Sequence, residues 1–420
     1  MPRREHGTKS RVDLLLLDSK ETVTVSEADQ ADLGIIDGGG VAIDKGRIVQ
    51  AASSELLERK YSASRTISAT DEIILPGFVD PHTHLVFQGS RENEFQIRLR
   101  GASYLDVLRK GGGIMETVNR TCQTTPEELF STALKRVDRA LCSGTTTLEI
   151  KSGYGLRLYD ELKILKVIRR LKQANPCRIV PTFLGAHAIP LGESLEEYST
   201  SVIEEMIPAV QRENLAEFCD VFCERGVFDP DSSERILKAG SRAGLRPKVH
   251  ADQLTESGGT GVANDLRAVS ADHMVHSPHR ELDRMVQSSV TPVLLPASSH
   301  SLLGRDRAPA QELLSMGLPV ALGSDFSPSN WIIGPLTVAA IAARELRMTA
   351  AQIIRAITIN AARALQYDNR VGSLSRGKSA DIVVLKAPSH KWIGYTYGEG
   401  VVDRVLISGK EQVVEGRRIN

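Results

Sequence analysis

Leu75-Pro76-Gly77-Phe78-Val79-Asp80-Pro81-His82-Thr83-His84 is an apolar run that ends in His-x-His. The run reads as a buried strand. Side chains two apart on a strand point to the same side, so His82 and His84 aim two imidazoles at one point where the strand gives out. Two neutral imidazoles at that spacing suit a divalent metal such as zinc or iron. Alone, the motif fits two structural histidines equally well, so the rest of the chain has to decide.

Downstream, short apolar strands alternate with helical stretches. Strands are predicted over Thr145–Ile150, Ile179–Leu184, Lys248–Val249, Val269–Ser270, Pro292–Leu295 and Val320–Leu322, and helices over Pro126–Cys142, Tyr159–Ala174, Leu195–Glu213, Asp231–Ala243 and Thr349–Leu365. This alternation implies a parallel sheet, and its length fits a (β/α)8 TIM barrel, an α/β fold. A doubly wound open sheet is the competitor, but no Gly-x-Gly-x-x-Gly follows a strand, and Gly111-Gly112-Gly113 lies after a helix without a phosphate-loop lysine.

The two ends read differently. Val41–Val49 looks like a hairpin turning at Asp44-Lys45-Gly46, and Ala380–Leu385 and Val401–Lys410 look like strands. Neither end could bury a core alone, so 1–70 and 369–420 are expected to pair into a small β-sandwich-like domain flanking a barrel of 71–368.

Composition narrows the partners. The 420 residues are 41% hydrophobic and 25% charged, with 52 charges of each sign. A net charge of zero gives no reason to expect nucleic acid or an anionic membrane as partner. The basic tip of Arg3, Arg4, Lys9 and Arg11 lacks the apolar run of a signal peptide, and Leu14 to Leu17 is far too short to span a bilayer. Five irregularly spaced cysteines fit a reducing cytosol, so a cytoplasmic protein is expected. Cys219, Val221 and Cys223 read as alternate positions of a buried strand.

The residues that close each candidate strand carry the chemistry. Strand one delivers His82 and His84. Strand three ends in Glu149-Ile150-Lys151-Ser152-Gly153-Tyr154, strand four in Gly185-Ala186-His187, and strand five in His250-Ala251-Asp252-Gln253. Strand six ends in Asp272-His273 and strand eight in Asp325. In a barrel these ends share the face that carries active sites.

This set resembles the amidohydrolase superfamily of metal-dependent hydrolases and, within it, the imidazolonepropionase family. Pro76–Phe87 with Ser90-Arg91, Gly111-Gly112-Gly113-Ile114, Lys151-Ser152-Gly153-Tyr154-Gly155, Phe183–Pro190 and Ser270-Ala271-Asp272-His273 carry the likeness, which runs from about residue 70 to the C-terminus. The resemblance implies a small-molecule substrate, 4-imidazolone-5-propanoate, opened to N-formimidoyl-L-glutamate in histidine degradation, and a homodimer. It places the metal ligands on His82, His84, His250 and Asp325, which leave room for one water. No lysine stands at the end of strand four, where two-metal relatives place a bridging one, so one zinc or iron per chain is expected. A metal-activated water would attack the ring carbonyl, with Asp325 passing the proton and His273 polarising the carbonyl. Arg91 matches the residue that grips the substrate carboxylate, and Tyr154 and His187 match substrate contacts.

Departures from the family pattern fall in the substrate pocket. Gln253 stands where some members have a glutamate; it can hydrogen-bond the substrate but cannot move a proton. Ser327 and Ser329 replace an asparagine and a glycine, and with Asn330 they are expected to contact substrate; Pro296-Ala297-Ser298-Ser299-His300 is more polar than the aromatic segment usual there.

Two other readings compete. A heterocycle aminohydrolase of the same superfamily would want a carboxylate at position 253. A non-catalytic barrel scaffold would have lost metal ligands, and all four are kept. Metal content separates the last from the others, and ammonia release marks the aminohydrolase.

Overall fold

A computed structural model describes residues 9–25, 32–101, 113–397 and 400–419. Arg3, Arg4, Gly111 and Gly112 lie outside the described residues.

The strand–helix alternation builds a sheet of eight parallel strands in chain order: Phe78–Asp80, Thr145–Lys151, Arg178–Ala186, Phe218–Cys223, Arg246–Ala251, Ser270–His273, Thr291–Leu294 and Ala321–Leu322. The barrel closes just beyond its last strand. Asp325 N–H donates to His82 O at 3.0 Å, and His84 N–H donates to Phe326 O at 2.9 Å. The backbone that carries the His-x-His is thereby zipped to the backbone that carries Asp325.

The order corrects two expectations. Thr145–Lys151 is the second barrel strand and Arg178–Ala186 the third, whereas the sequence reading made them third and fourth. The fourth is Phe218–Cys223, in which Cys219, Val221 and Cys223 are buried as alternation predicts. Its end carries Glu224, so strand four still offers no lysine. The opening apolar run is also not one strand. It divides at Gly77, whose N–H donates to Asp381 O at 2.8 Å and whose Cα faces Thr146 so closely that a Cβ would fall 2.3 Å from Oγ1. Ile73–Pro76 therefore joins a different sheet from Phe78–Asp80.

That other sheet mixes both chain ends. Its order is Arg417–Arg418, Lys410–Val414, Val402–Ile407, Ile382–Leu385, Ile73–Pro76, Glu21–Val23, Ile35–Asp37. A second, four-stranded sheet comes from the N-terminal part alone: Arg47–Ser53, Gly39–Asp44, Ser10–Leu17 and Tyr61–Ser68. Its hairpin turns at Lys45 and Gly46, both with positive φ, as the Asp-Lys-Gly spacing predicts. Leu14, Leu16, Val41, Ile43 and Ile67 pack against Ile74, Ile382, Val384 and Leu406 to form the sandwich core. The alternate residues Ile73, Val383 and Val405 face the barrel's own core. One sheet thus serves both units and holds the first barrel strand in place.

The helices follow the apolar period. Pro126–Cys142 matches its prediction end to end because Thr125 and Glu128 form a reciprocal capping box with Pro126 at the first turn. Thr349–Leu365 departs from prediction: it breaks into Ala350–Ala356 and Ile359–Arg363 at Thr358, whose φ of −127° and ψ of −98° leave the helical region. Ile357, Thr358 and Ile359 are β-branched, which weakens the helix there. No described helix is long and apolar enough to cross a membrane.

Candidate metal centre and substrate cavity

Strand ends fix the cluster. Asp80, closing the first strand, accepts from Ser324 N–H at 3.0 Å and from His82 N–H at 3.4 Å. This clasp ties the first strand to the eighth before either reaches the site. His82 Nδ1–H donates to Asp272 Oδ2 at 2.6 Å, which leaves Nε2 as the free lone pair. That Nε2 stands 3.2 Å from His84 Nε2 and 3.6 Å from Asp325 Oδ1, and His84 Nε2 stands 3.5 Å from the same carboxylate oxygen. The His250 ring lies 4.5 Å from His82 and 5.3 Å from His273, centre to centre.

Burial governs the charge states. It holds His82, His84 and His273 well below the usual imidazole range, with neighbouring cationic groups pushing the same way. Burial also lowers His187 to about 3. These rings are neutral at pH 7 and present lone pairs. Desolvation raises Asp325 to about 6, against a hydrogen bond from Ser298 and the nearby His250 that lower it. His273 and Asp325 both have positive φ, at 75° and 51°, a strained backbone region for such residues and one that recurs at functional sites.

The donor set fits a divalent cation. The ligand atoms of His82, His84 and Asp325 all lie within 4.8 Å of one another, and so do those of His82, His250 and His273. Nε2 of His250 and Nδ1 of His84 are buried with no hydrogen-bond partner among the described residues. Orphaned lone pairs of this kind cost free energy unless something electrophilic sits among them.

Beneath the cluster, the barrel interior is charged. Lys151 Nζ lies 2.6 Å from Asp220, 3.0 Å from Glu149 and 3.5 Å from Asp272, and Lys248 Nζ lies 3.0 Å from Glu149, all fully buried. Asp220 in turn stands 3.0 Å from His250 Nδ1. Burial alone would raise Asp220, but His250 and Lys151 overcome it and hold the carboxyl well below its ordinary range. Lys151 is raised despite burial, because Asp220, Glu149 and Asp272 surround it. Two lysines thus hold carboxylates that brace the rings from below.

Above the cluster opens a cavity of about 330 Å³. His84, His250, His273 and Asp325 floor it, and Arg91, Tyr154, His187, Gln253, Ser327 and Ser329 line its walls. Arg91 is only 6% exposed. Its Nε–H donates to Thr117 Oγ1 at 2.9 Å, and no carboxylate of the described residues comes within ion-pair distance. Tyr154 packs its ring 5.8 Å from His84 and 5.3 Å from His187. His187 stacks on His84 at 5.1 Å and donates from Nδ1 to Gly153 O at 3.0 Å.

One residue of the sequence reading lies elsewhere. Asn330 is buried off the cavity. Its amide donates to Ser324 O at 2.7 Å and Asp325 O at 3.2 Å, which stiffens the loop that presents Asp325. His300 points to the surface and pairs with Glu345 at 2.7 Å, so it does not reach the pocket.

Sequence reasoning passed over the supports. Asp80 and Glu149 stood inside quoted stretches without being given a role, and Asp220 and Lys248 carried no signal beyond being charged residues inside apolar strands, which is itself the clue. Asp252 lay in plain sight after His250. It accepts from Ser257, Gly258 and Thr260 N–H groups at 2.8, 2.8 and 3.0 Å, shaping the loop that carries Gln253.

The chain resembles known proteins along nearly its whole length. Residues 235–411 match the model of the amidohydrolase family. Imidazolonepropionase from Alkaliphilus oremlandii is 44% identical over 93% of this chain and 94% of its own. That from Haloarcula marismortui is 42% identical over 95% of each. Among solved structures, a zinc-bound adenosine deaminase from Xanthomonas campestris superposes with a TM-score of 0.75 at 21% identity, covering 98% of this chain and 95% of that one. Atrazine chlorohydrolase from Arthrobacter aurescens, complexed with zinc, gives 0.71 at 17% identity, over 97% and 96%. These two show the shared fold. With full-length relatives above 40% identity and a strand-end histidine–aspartate cluster at the mouth of its barrel, the chain belongs to the imidazolonepropionase family of amidohydrolases.

Proposed function

We propose that this chain hydrolyses the cyclic amide of 4-imidazolone-5-propanoate to N-formimidoyl-L-glutamate in histidine degradation. The observation that carries the reading is a cavity with lone-pair-bearing imidazoles and a carboxylate at its floor and, on its wall, a buried guanidinium with no carboxylate partner among the described residues. One end suits an amide to be hydrolysed and the other suits a carboxylate arm.

His82, His84, His250 and Asp325 would hold one divalent metal. When bound, that metal supplies Lewis acidity, lowering the pKa of water and polarising a carbonyl oxygen. Asp325 takes the proton of the attacking water as its oxygen bonds to the ring carbonyl carbon. The ring C–N bond then breaks, and Asp325 returns the proton to the departing nitrogen. His273, buried at the cavity floor, is placed to stabilise charge on the carbonyl oxygen. Arg91 receives the propionate through its terminal nitrogens, since Nε is already held by Thr117. Tyr154 and His187 flank the ring. Gln253, Ser327 and Ser329 offer hydrogen bonds to its polar edge, and Asn330 contributes from behind by fixing the Asp325 loop. With Gln253 unable to ionise, proton transfer rests on Asp325.

The donor set of imidazoles and one carboxylate suits zinc or iron(II), and the proposal covers either. We also propose a cytoplasmic homodimer, and a division of the chain into a barrel of 71–368 and a β unit shared by 1–70 and 369–420. The test of function is the ultraviolet loss of imidazolonepropionate on adding metal-loaded protein, which should occur without ammonia release.

A further inference from the structure

The loop Lys151–Leu156 brings Tyr154 and the Gly153 carbonyl to the cavity, yet it has little regular structure of its own. Three of its amide groups turn inward to a single side chain. Glu161, in the first turns of the helix Leu158–Ala174, is fully buried and reaches back under the loop. Its Oε2 accepts from Gly153 N–H at 3.0 Å. Its Oε1 accepts from Gly155 N–H at 2.6 Å and Leu156 N–H at 3.0 Å. Burial raises the Glu161 pKa, and the Ser152 hydroxyl and the three N–H groups work against that rise. No cation of the described residues pairs with Glu161, so backbone and hydroxyl dipoles alone hold the carboxylate. A buried charge kept on those terms needs a reason beyond stability.

The glycines of the loop are shaped to this carboxylate. A Cβ on Gly155 would fall 2.5 Å from Glu161 N and 2.9 Å from its Oε1. Gly153 has a φ of 110°, and a Cβ there would fall 2.8 Å from His187 Nδ1. With Gly153 so placed, its carbonyl accepts from His187 Nδ1 at 3.0 Å, which puts the proton on Nδ1 and leaves Nε2 as the acceptor. Tyr154 is held between the two tethered glycines, with its ring against His84 and His187.

We propose that Glu161 is a positioning residue for substrate: its carboxylate fixes the Gly153–Leu156 backbone and, through it, sets the direction of Tyr154 and the tautomer of His187. It touches no reacting atom. This inference rests on the proposed role of Tyr154 and His187 as substrate contacts.

The test uses the full-length, metal-loaded protein. Glu161→Gln keeps the size but replaces one acceptor oxygen with an NH2 that faces N–H donors. Its kcat/KM toward imidazolonepropionate should fall about ten- to hundredfold with unchanged metal content, the scale of lost charged hydrogen bonds and a shifted binding group. The ¹⁵N spectrum of His187 should change from the single Nδ1–H tautomer to a mixture. In a His187→Ala background, Glu161→Gln should cost less than in wild type, because the part of its effect that runs through His187 is already lost. A folded Glu161→Gln protein with wild-type kcat/KM and an unchanged His187 tautomer would overturn the proposal. So would full additivity with His187→Ala. If Glu161→Gln does not fold, Glu161→Asp serves: it keeps the charge but cannot span all three amides, and the same two outcomes decide. The His187 spectrum needs no substrate, so it separates failure of this inference from failure of the proposed reaction.

Discussion

Replacing Arg91 tests how substrate is held. The guanidinium is almost wholly buried, its Nε is fixed on Thr117 at 2.9 Å, and no described carboxylate neutralises it. The two terminal nitrogens are therefore free to receive a carboxylate as a fork. Charge-assisted hydrogen bonds of this kind contribute about 1.5–3 kcal/mol, so Arg91→Ala should lower kcat/KM by roughly ten- to hundredfold or somewhat more, given the carboxylate left desolvated. The loss should fall mainly on KM, because the propionate is gripped alike before and during the reaction. Arg91→Lys keeps the charge but loses both the fork and the Nε bond to Thr117, so it should restore only part of the loss. The assay is steady-state ultraviolet loss of imidazolonepropionate, repeated with the ester of its propionate arm. Wild type should discriminate strongly between acid and ester, and Arg91→Ala hardly at all. An Arg91→Ala protein with full metal content and unchanged kcat/KM, or with undiminished preference for the acid, would refute the assignment.

Four further expectations concern the floor of the site and the barrel. Asp325→Asn should cut kcat by about 10²–10⁴ at matched metal content, the usual scale for a positioned acid–base group. Burial sets the Asp325 carboxyl at about 6, and a bound cation pulls it lower. Since the ionised form accepts the proton, kcat/KM of the wild type should fall with acidification only at or below about pH 6; an acid limb centred above pH 7 would contradict this. Asp272→Asn removes the carboxylate that fixes His82 at 2.6 Å, so metal affinity measured by chelator competition should weaken about ten- to hundredfold. Unchanged affinity would remove Asp272 from the account. Gly77→Ala would press a methyl within 2.3 Å of Thr146 Oγ1 and should destabilise the fold by about 1–3 kcal/mol in denaturant melts.

Much of this was legible before any coordinates. That the strand-end residues share one face followed from barrel geometry, and the choice of His82, His84, His250 and Asp325 among them came from the family resemblance. The strand count slipped by one, since the described residues between Phe78–Asp80 and Thr145–Lys151 hold helices and no strand. Lys151 fell just past the predicted strand Thr145–Ile150 but belongs to it, pinned inside the barrel by Glu149 and by Asp220 and Asp272, which lie far off in sequence. Asn330 was drawn toward the pocket by its neighbours in the chain, and what moves it off is its bonding to the local carbonyls of Ser324 and Asp325. Glu161 gave no motif signal, because its partners are backbone amides that any sequence supplies.

The measurement closest to the central claim is the fate of imidazolonepropionate with the purified protein before and after metal is stripped and restored. The account predicts ultraviolet loss of the substrate, appearance of the ring-opened formimidoyl product and no ammonia, with activity lost on chelation and regained at one zinc or iron per chain. Turnover that survives complete metal removal, or ammonia released in step with substrate loss, would contradict it.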